Sequence, residues 1–325
     1  MEHLRQDDPP QIGPYATLAR FDSERELDRT SDRRYIARST DGRRTVTICV
    51  PRTDVDPTRW AIEAEGIRQQ SLPHFLPVTE VGGSAAHPWY ATPYVPRLPL
   101  TDALAAYGGP LPEAVIRSLG AILAGALAAA HGQGVVHAGI SPAAVLLGAG
   151  GPYLACFGAV RAAAPDGEQR IGAPGLDPGC LPPEQAQGGR PRPLGDVYAL
   201  GAVLSYASTG HTVPQREELP LPLRELITAC LSRDAGKRPS VADLTAELAA
   251  PVTAPPSASP PAYPTLPASD AAGHTQAAPI AGPIPTVLDG SPLPIPLPAR
   301  IVAALARQSS HVLAAQLPER LMEMS

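Results

Sequence analysis

The chain is poor in lysine and in aromatic residues. Lys237 is the only lysine among 325 residues, and aromatic side chains make up 4% of the chain. Its positive charges are therefore scattered arginines, and the formal net charge is -5. Because a protein that binds a duplex needs clustered cations to neutralise phosphates, no nucleic-acid partner is expected.

Cysteines are few, and no two of them have the C-x-x-C spacing of metal and redox motifs. The first residues lack the apolar run of a secretory signal, so the expected location is cytoplasmic, where thiols stay reduced. The longest apolar region, residues 114–130, contains Arg117 and is short and alanine-rich. It is interpreted as a buried helix, and no membrane span is expected.

Two segments lack particular residue types. No glycine occurs between Gly13 and Gly42, and no Ser, Thr or Tyr between Ala159 and Glu184. The first segment carries carboxylates that would repel a triphosphate, at Asp22, Glu24, Glu26 and Asp28. The first segment therefore lacks the glycines that let a backbone approach phosphates closely, and the second has no hydroxyl that could be phosphorylated.

Short strands are predicted up to about residue 95. The runs YIARST and RRTVTICV flank the polar turn Asp41-Gly42 and predict a hairpin. Residues 58–70 have the apolar spacing of a helix. From Leu111 onward the periodicity is helical, so we expect an α+β protein with a strand-rich part and a helical part.

Composition divides the chain into segments. Residues 1–14 are expected to be a flexible N-terminus, and residues 15–248 a folded domain. Residues 249–298 are rich in Pro and Ala, a composition that favours extended, solvated chain, so a disordered linker is predicted. Residues 299–325 have apolar side chains on one helical face and are predicted to form an amphipathic helix.

Five phrases follow one another in the order typical of one protein family: GVVHAGISPAAVLL, YLACFGAV, LPPEQ, DVYALGAVL and KRPS. In these phrases the chain resembles the bacterial Ser/Thr protein kinases of the eukaryotic (Hanks) type, over residues 15–248. The resemblance implies a two-lobed, protein-kinase-like fold of the α+β class. A small β-rich N-lobe is expected at about 15–96 and a larger helical C-lobe at about 97–248.

The groups that perform phosphoryl transfer in this family are missing at the matching positions. Its catalytic loop H-R-D-L-K-P-x-N reads HAGISPAA here, so Gly139 replaces the base, Ser141 the lysine and Ala144 the metal-binding Asn. The D-F-G motif reads CFG, which puts Cys156, a soft thiol, in place of the magnesium ligand. On the strand that reads V-A-I-K in the family, the lysine position is assigned to Ile48, which would make the cleft apolar.

Three further positions follow from the resemblance. Without the strand lysine, Glu63 would be an orphaned, solvated charge on its helix, and Ala173 stands where the family often has a threonine. Cys156 could be a reactive thiol beside His137 or a small buried hydrophobe. No nearby cation is expected to lower its pKa, which favours the buried hydrophobe.

The positions that support the architecture of the family are retained. They are His137, Pro142, Phe157, Gly158, Glu184, Asp196 and Arg238. We expect His137 and Phe157 to pack in a hydrophobic spine. We also expect Glu184 to pair with Arg238, and Asp196 to hold the catalytic loop.

Together these features predict a catalytically inactive kinase-like protein, a pseudokinase, that acts as an interaction or regulatory module for a protein partner, such as an active kinase. Neither ATP nor a metal ion is expected as a cofactor. One alternative is an active ATP-dependent Ser/Thr kinase, or a nucleotidyl transferase, with non-standard machinery, which would still need cations to neutralise phosphates. A second alternative is a small-ligand-binding module that uses the apolar cleft.

Overall fold

The computed structural model describes most of the chain. The described residues are 2–23, 29–249, 287–288, 291–292 and 295–315. Three parts of the predictions lie outside these ranges. They are the carboxylates Glu24, Glu26 and Asp28, most of the predicted linker (nearly all of 250–294), and the end of the predicted C-terminal helix (316–325).

An antiparallel sheet of six strands forms the N-lobe, in the spatial order β1-β2-β3-β4-β6-β5. Its strands are β1 (Gln11–Ile12), β2 (Tyr15–Arg20), β3 (Asp32–Ser39), β4 (Thr45–Pro51), β5 (Glu80–Ser84) and β6 (His87–Pro93). The predicted hairpin is confirmed: β3 pairs with β4 around the turn at Asp41 and Gly42. Gly42 has a φ of 74°, which suits glycine in a tight turn.

One helix packs against this sheet. Helix α1 (Pro57–Arg68) begins after Asp56, whose carboxylate accepts hydrogen bonds from two backbone N–H groups of the first turn. Trp60 of α1 stacks on Tyr90 of β6, with 5.1 Å between the ring centroids. The contact places α1 beside the space between the lobes.

Residues 2–14 are held on the sheet, so the prediction of a flexible N-terminus is wrong. Asp8 is buried and pairs with Arg20 of β2 at 2.6 Å, and the Tyr35 hydroxyl donates to the same carboxylate at 2.9 Å. The polar composition of the segment suggests solvation. Composition does not show that Arg20 and Tyr35, which lie further along the chain, bind the carboxylate of Asp8.

The C-lobe is helical, as expected. Its helices are α2 (Leu100–Tyr107), α3 (Glu113–Gly132), α4 (Ala159–Ala163), α5 (Pro183–Ala186), α6 (Pro193–Thr209), α7 (Leu221–Cys230) and α8 (Val241–Ala249). A second antiparallel sheet lies at the junction with the N-lobe, in the order β7 (Arg97–Pro99), β8 (Val145–Gly148) and β9 (Gly151–Leu154).

Helix α3 is the central helix of the C-lobe. Within the described ranges it is the one helix long and apolar enough, by length and composition, to cross a membrane. Half of its apolar stretch is buried inside the protein, where Leu119, Leu123 and Leu127 join the core. Contacts with α6 and α8 make it a core helix.

The chain beyond α8 returns to the body of the protein. Two short strands, β10 (Val287–Leu288) and β11 (Ser291–Pro292), pair with each other. Helix α9 (Ala299–Ala314) then follows, within the predicted segment 299–325. Its apolar face is buried against the rest of the protein.

Candidate functional site in the interlobe cleft

Strand β4 lines the interlobe cleft, the space between the N-lobe sheet and the C-lobe segments HAGISPAA and CFG. Ile48 lies on the opposite side of the sheet, in a buried cluster with Tyr15 and Trp89. Cys49 is buried in the cluster that contains Trp60 of α1. Because successive side chains of a strand point to opposite faces, the family's V-A-I-K matches VTIC, and the lysine position is Cys49. The assignment to Ile48 is wrong by one residue.

A buried ion pair lies in the cleft, so the cleft is not lined by apolar groups alone, as the assignment of Ile48 had suggested. Arg34 of β3 donates from Nε to Oδ1 of Asp22 at 2.6 Å and from its backbone N to Oδ2 at 3.0 Å. Its Nη2 reaches across to the carbonyl oxygen of Ala143 in the C-lobe at 3.2 Å. Arg34 therefore connects the two lobes through the cleft.

Asp22 is therefore a buried carboxyl group paired with Arg34 and not the free charge that the sequence suggested. Burial raises the pKa of Asp22, and Arg34 opposes that rise. Burial alone would lower the pKa of Arg34, but the Asp22 carboxylate raises it well above its usual value. The guanidinium also lies 5.1 Å from the ring centroid of Phe21. Arg34 was not predicted because the family has a lysine as its cleft cation and because the predicted strand begins at Tyr35, three residues after the observed start at Asp32.

Cys156 lies beside these groups. Its Sγ donates to Oδ1 of Asp32 at 3.2 Å, and the Tyr90 hydroxyl donates to Oδ2 at 3.1 Å. Burial raises the pKa of Cys156 well above its usual value and Asp32 raises it further, which outweighs the opposing effect of Arg34. Arg34 is a cation that the sequence did not place here, yet the thiol stays protonated and unreactive.

Across the residues that the structure describes, no group of three or more His, Cys, Asp or Glu side chains is placed to hold a metal ion. Asp32, the carboxylate next to Cys156, is already engaged by the Ser31 hydroxyl at 3.0 Å and by the groups described above. A magnesium ion requires several oxygen ligands in a near-octahedral arrangement. The described residues do not fit that requirement.

Asp196 of α6 holds the HAGISPAA segment through its backbone. Its two carboxylate oxygens accept hydrogen bonds from the backbone N–H of His137 at 2.8 Å and of Ala138 at 2.9 Å. Nε2 of His131 lies 2.9 Å from the same carboxylate. Ala138 has a φ of 53°, which is uncommon for a residue other than glycine, and these contacts hold it there.

The backbone of CFG occupies the space where the side chain of a catalytic base would start. A Cβ added at Gly139 would lie 2.1 Å from the carbonyl oxygen of Cys156 and 3.1 Å from the Cβ of Ala159. The remaining loop positions have structural roles. Ser141 accepts a hydrogen bond at Oγ from the N–H of buried Ala144, and the Pro142 carbonyl oxygen accepts one from the N–H that begins α2.

Glu63 is paired, so the expectation of an orphaned, solvated charge is wrong. Its carboxylate accepts from Nη2 of Arg161 at 2.6 Å and from Nε at 2.9 Å. Arg161 lies in α4, immediately after CFG, and its guanidinium covers the ring of Phe157 at 5.0 Å. Gly158 has a φ of 74°, which favours glycine at that turn.

Three rings form a buried column between the lobes. The ring of His137 lies 5.7 Å from that of Phe157 and 5.3 Å from that of Phe75. Burial lowers the pKa of His137 to about 4. The imidazole is therefore neutral at physiological pH and packs as an aromatic ring.

The segment that follows CFG is fixed by arginines. Arg170 is fully buried and donates to the carbonyl oxygens of Ala164 at 3.0 Å and Gly189 at 2.9 Å. Arg238 pairs with Glu184 at 2.6 Å. Arg170 matches none of the family's motifs and was not predicted. Its contacts order the segment that contains Ala173 without a phosphorylated residue.

Little open space remains next to these groups. A cavity of about 20 Å³ lies beside Gly139, Ser141 and Cys156. That volume holds about one water molecule, whereas pockets for small molecules have volumes of roughly 300–1,000 Å³. This cavity is therefore too small for a nucleotide.

Comparison with known proteins identifies relatives among bacterial kinases. The chain is 34% identical over 269 residues to the serine/threonine-protein kinase AfsK of Streptomyces coelicolor, a match that covers 76% of this chain and 33% of that protein. It is 32% identical over 267 residues to the probable serine/threonine-protein kinase PkwA of Thermomonospora curvata, covering 76% and 35%. The chain thus spans about a third of the length of these relatives.

Solved structures show the same fold. The PknI kinase domain of Mycobacterium tuberculosis has a TM-score of 0.54 and 20% identity, over 73% of this chain and 96% of that one. A double mutant of that domain has a TM-score of 0.55. At this identity the likeness shows the fold alone. No protein-family model matches the chain.

Proposed function

The chain belongs to the bacterial Ser/Thr protein kinases of the eukaryotic (Hanks) type, and we propose that it is a catalytically inactive member, a pseudokinase, that acts through contacts with protein partners. Its partner would be a signalling protein such as an active kinase. All four cysteines are free thiols, which agrees with the cytoplasmic setting that the proposal assumes.

The observation that carries the proposal is the ion pair of Arg34 and Asp22 inside the cleft. Kinases cover the nucleotide phosphates with a glycine-rich loop and neutralise them with a strand lysine and metal ions. Here a buried carboxylate already neutralises the cation, and the second contact of Arg34 is the Ala143 carbonyl. The cation that could have bound nucleotide phosphates is therefore already bound to groups of the chain itself.

The missing catalytic groups support the same proposal. Gly139 supplies no base, Ala144 and Cys156 supply no hard metal ligand, and Cys49 supplies no cation. Loss of a general base alone typically costs a factor of about 10² to 10⁴ in rate. The steric contact at Gly139 means that a carboxylate could not be placed there without movement of the CFG backbone.

Arg34 is also the best support for the alternative of non-standard ATP chemistry, because it places a cation in the cleft. ATP would then have to displace Asp22 from a guanidinium that is buried in the protein. The alternative of an apolar ligand site loses the support of Ile48, which faces away from the cleft. Ala144, its other support, is buried in an apolar cluster that Val312 already shares.

A thermal-shift experiment separates these functions. The full chain is heated alone, with ATP, and with ATP plus Mg²⁺ or Mn²⁺. We expect no shift, whereas a ligand at 100-fold its dissociation constant would add about 2.7 kcal/mol. A metal-dependent rise in Tm that Arg34→Met abolishes would overturn the proposal in favour of ATP binding at Arg34.

A second measurement addresses the reaction directly. The full chain is incubated with radiolabelled ATP and generic protein substrates, and incorporation of phosphate is counted. We expect none above the level of a heat-denatured control. Stoichiometric binding to a purified active kinase of the same cell, measured by calorimetry, would support the proposed interaction role.

A further inference from the structure

Helix α9 lies along both lobes at the connection between them. Its buried side chains form one stripe along the helix, Ile301, Leu305, Gln308 and Val312. Ile301 and Leu305 belong to the same core cluster as Leu100 and Leu104 of α2. Amphipathic helices that bind in a groove present apolar anchors at this spacing.

Polar contacts fix α9 to the C-lobe and to the connection. Arg300 donates to the carbonyl oxygen of Tyr107, the last residue of α2, at 3.0 Å. The backbone N–H of Arg97, which begins β7, donates to Oε1 of Gln308 at 2.9 Å. A buried side chain of α9 therefore satisfies a backbone donor of the connection between the lobes.

The other end of α9 is held by the N-lobe. Arg38 of β3 donates from Nη2 to the carbonyl oxygen of Val312 at 3.0 Å and from Nη1 to that of Ala315 at 2.9 Å. These are carbonyls at the C-terminus of the helix, which have no partner within the helix and attract a cation. One arginine thus both caps α9 and joins it to the sheet.

Val312 reaches the interlobe cleft itself. Its side chain is buried in a cluster with residues of both lobes, among them Phe21, Ile36, Ala144 and Leu146. Phe21 directly precedes Asp22, and Ala144 occupies the metal-binding position of the family. In kinases the nucleotide lies between the glycine-rich loop and the catalytic loop. Val312 therefore packs in the apolar cluster that borders that space on the side of the lobe connection.

We propose that the surface formed by Ile36, Arg38, Arg97 and α2, here called the α9 groove, is a helix-binding site of the kinase-like domain whose occupant is the chain's own α9. The ligand class is an amphipathic helix with anchors at i, i+4, i+7 and i+11 and free C-terminal carbonyls for Arg38. Occupancy of the groove decides whether this end of the cleft is closed.

The chain between α8 and α9 suits such a tethered ligand. About 45 residues rich in Pro, Ala and Ser separate Ala249 from Ile295, and a covalent connection between a domain and its ligand raises the effective concentration of that ligand. A helix of 16 residues is marginal in water by itself. Release of α9 would therefore melt it and open the groove to another helix.

Hydrogen exchange of the full chain tests the proposal with two adjacent substitutions. Val312 is 5% exposed, whereas Leu313 is 80% exposed. Val312→Asp should raise exchange in α9 and in residues 94–104 by roughly ten-fold or more, because it places a charge at a buried anchor. Leu313→Asp, the matched control, should leave both rates unchanged. Thiol reactivity of Cys156 should increase in parallel with exchange in the first variant only.

A second pair of variants covers the case in which Val312→Asp fails to fold. Arg38→Ala removes only the contact with the helix C-terminus, and the exposed Arg43 of the same hairpin supplies the control Arg43→Ala. Faster exchange in α9 for Arg38→Ala alone would support the groove. Equal exchange in all four variants and the parent chain would overturn it.

Addition of a synthetic peptide of residues 295–315 identifies the occupant. In Val312→Asp the peptide should restore the slow exchange of residues 94–104, and failure to do so would overturn the proposal of a helix-binding site. Protection of α9 that disappears on dilution, together with the mass of a dimer, would assign the occupant to a second copy and overturn the assignment to the same chain. None of these readouts depends on the absence of phosphoryl transfer.

Discussion

Restoration of the base at Gly139 tests the reasoning about the cleft most directly. In an open kinase cleft, Gly139→Asp would be tolerated and would return a group needed for catalysis. In this structure the first added atom, Cβ, would lie 2.1 Å from the carbonyl oxygen of Cys156. That oxygen belongs to the backbone, so relief requires movement of CFG and not merely of a side chain.

The expected magnitude follows from the cost of overpacking. Insertion of a carbon atom into a packed interior costs typically about 1–3 kcal/mol. For a domain of this size each kcal/mol lowers Tm by about 2–4 °C. Gly139→Ala and Gly139→Asp should therefore each lower Tm by several degrees, measured by calorimetry of the full chain, and Gly139→Asp should still transfer no phosphate.

The matched control is Gly125→Ala in helix α3. A Cβ added there meets no atom within 4 Å, and the residue lies inside a helix. The same added methyl group should stabilise this site by about 0.5–1 kcal/mol. A Tm for Gly139→Asp equal to that of the parent chain would refute the steric contact between a side chain at position 139 and the CFG backbone. Self-phosphorylation of this variant would refute it more strongly.

Three further predictions concern the same region. Arg34→Met should lower the free energy of unfolding, measured with denaturant, by about 3–5 kcal/mol because it leaves Asp22 buried without its cation. The double variant Arg34→Met/Asp22→Leu should recover most of that loss, and equal stability of both variants would contradict the buried pair. The pKa of His137 is about 4 in the folded protein and 6.5 in the unfolded chain. Between these values only the unfolded chain is protonated at this residue. The free energy of unfolding should therefore fall by up to about 1.4 kcal/mol per pH unit as pH drops from 6.5 to 4. His137→Phe should flatten this slope, and an unchanged slope would assign the proton elsewhere. Cys156→Asp alone should not restore autophosphorylation with Mg²⁺ or Mn²⁺, since four other positions, Gly139, Ser141, Ala144 and Cys49, still lack the family's groups. Incorporation of radiolabel in that variant would refute the claim of multiple losses.

The sequence predicted the architecture because that information is local and ordered. The runs YIARST and RRTVTICV on either side of a polar turn predicted the hairpin of β3 and β4, helical periodicity predicted α1 and α3, and the five phrases predicted a kinase-like domain. The one-residue error at Ile48 shows the limit of this reasoning. A short strand motif can be aligned in two frames, and only the packing of Cys49 against Trp60 of α1 chooses between them.

The partners of charged residues could not be predicted in the same way. Glu63 lost its expected lysine in the sequence, and the fold gives it Arg161, which lies 98 residues further along the chain. The carboxylates from Asp22 onward suggested repulsion of a triphosphate. In the folded protein Asp22 is buried and binds Arg34. Asp8 was assigned to a flexible end for the same reason, because composition records the charge but not the distance to its partner.

What the sequence by itself determined is the chemistry that the chain lacks. Gly139, Ala144 and Cys156 supply no carboxylate base or hard metal ligand, and neither Ile48 nor Cys49 supplies an ammonium group in either alignment of the strand, so that conclusion depends on residue identity alone. What only the tertiary structure decided is how the cleft is filled: Arg34 reaches Asp22 and Ala143, the CFG backbone closes on Gly139, and Val312 enters from α9. These contacts depend on distances between segments up to hundreds of residues apart, such as Arg38 and Val312, and such distances arise only when the whole chain packs.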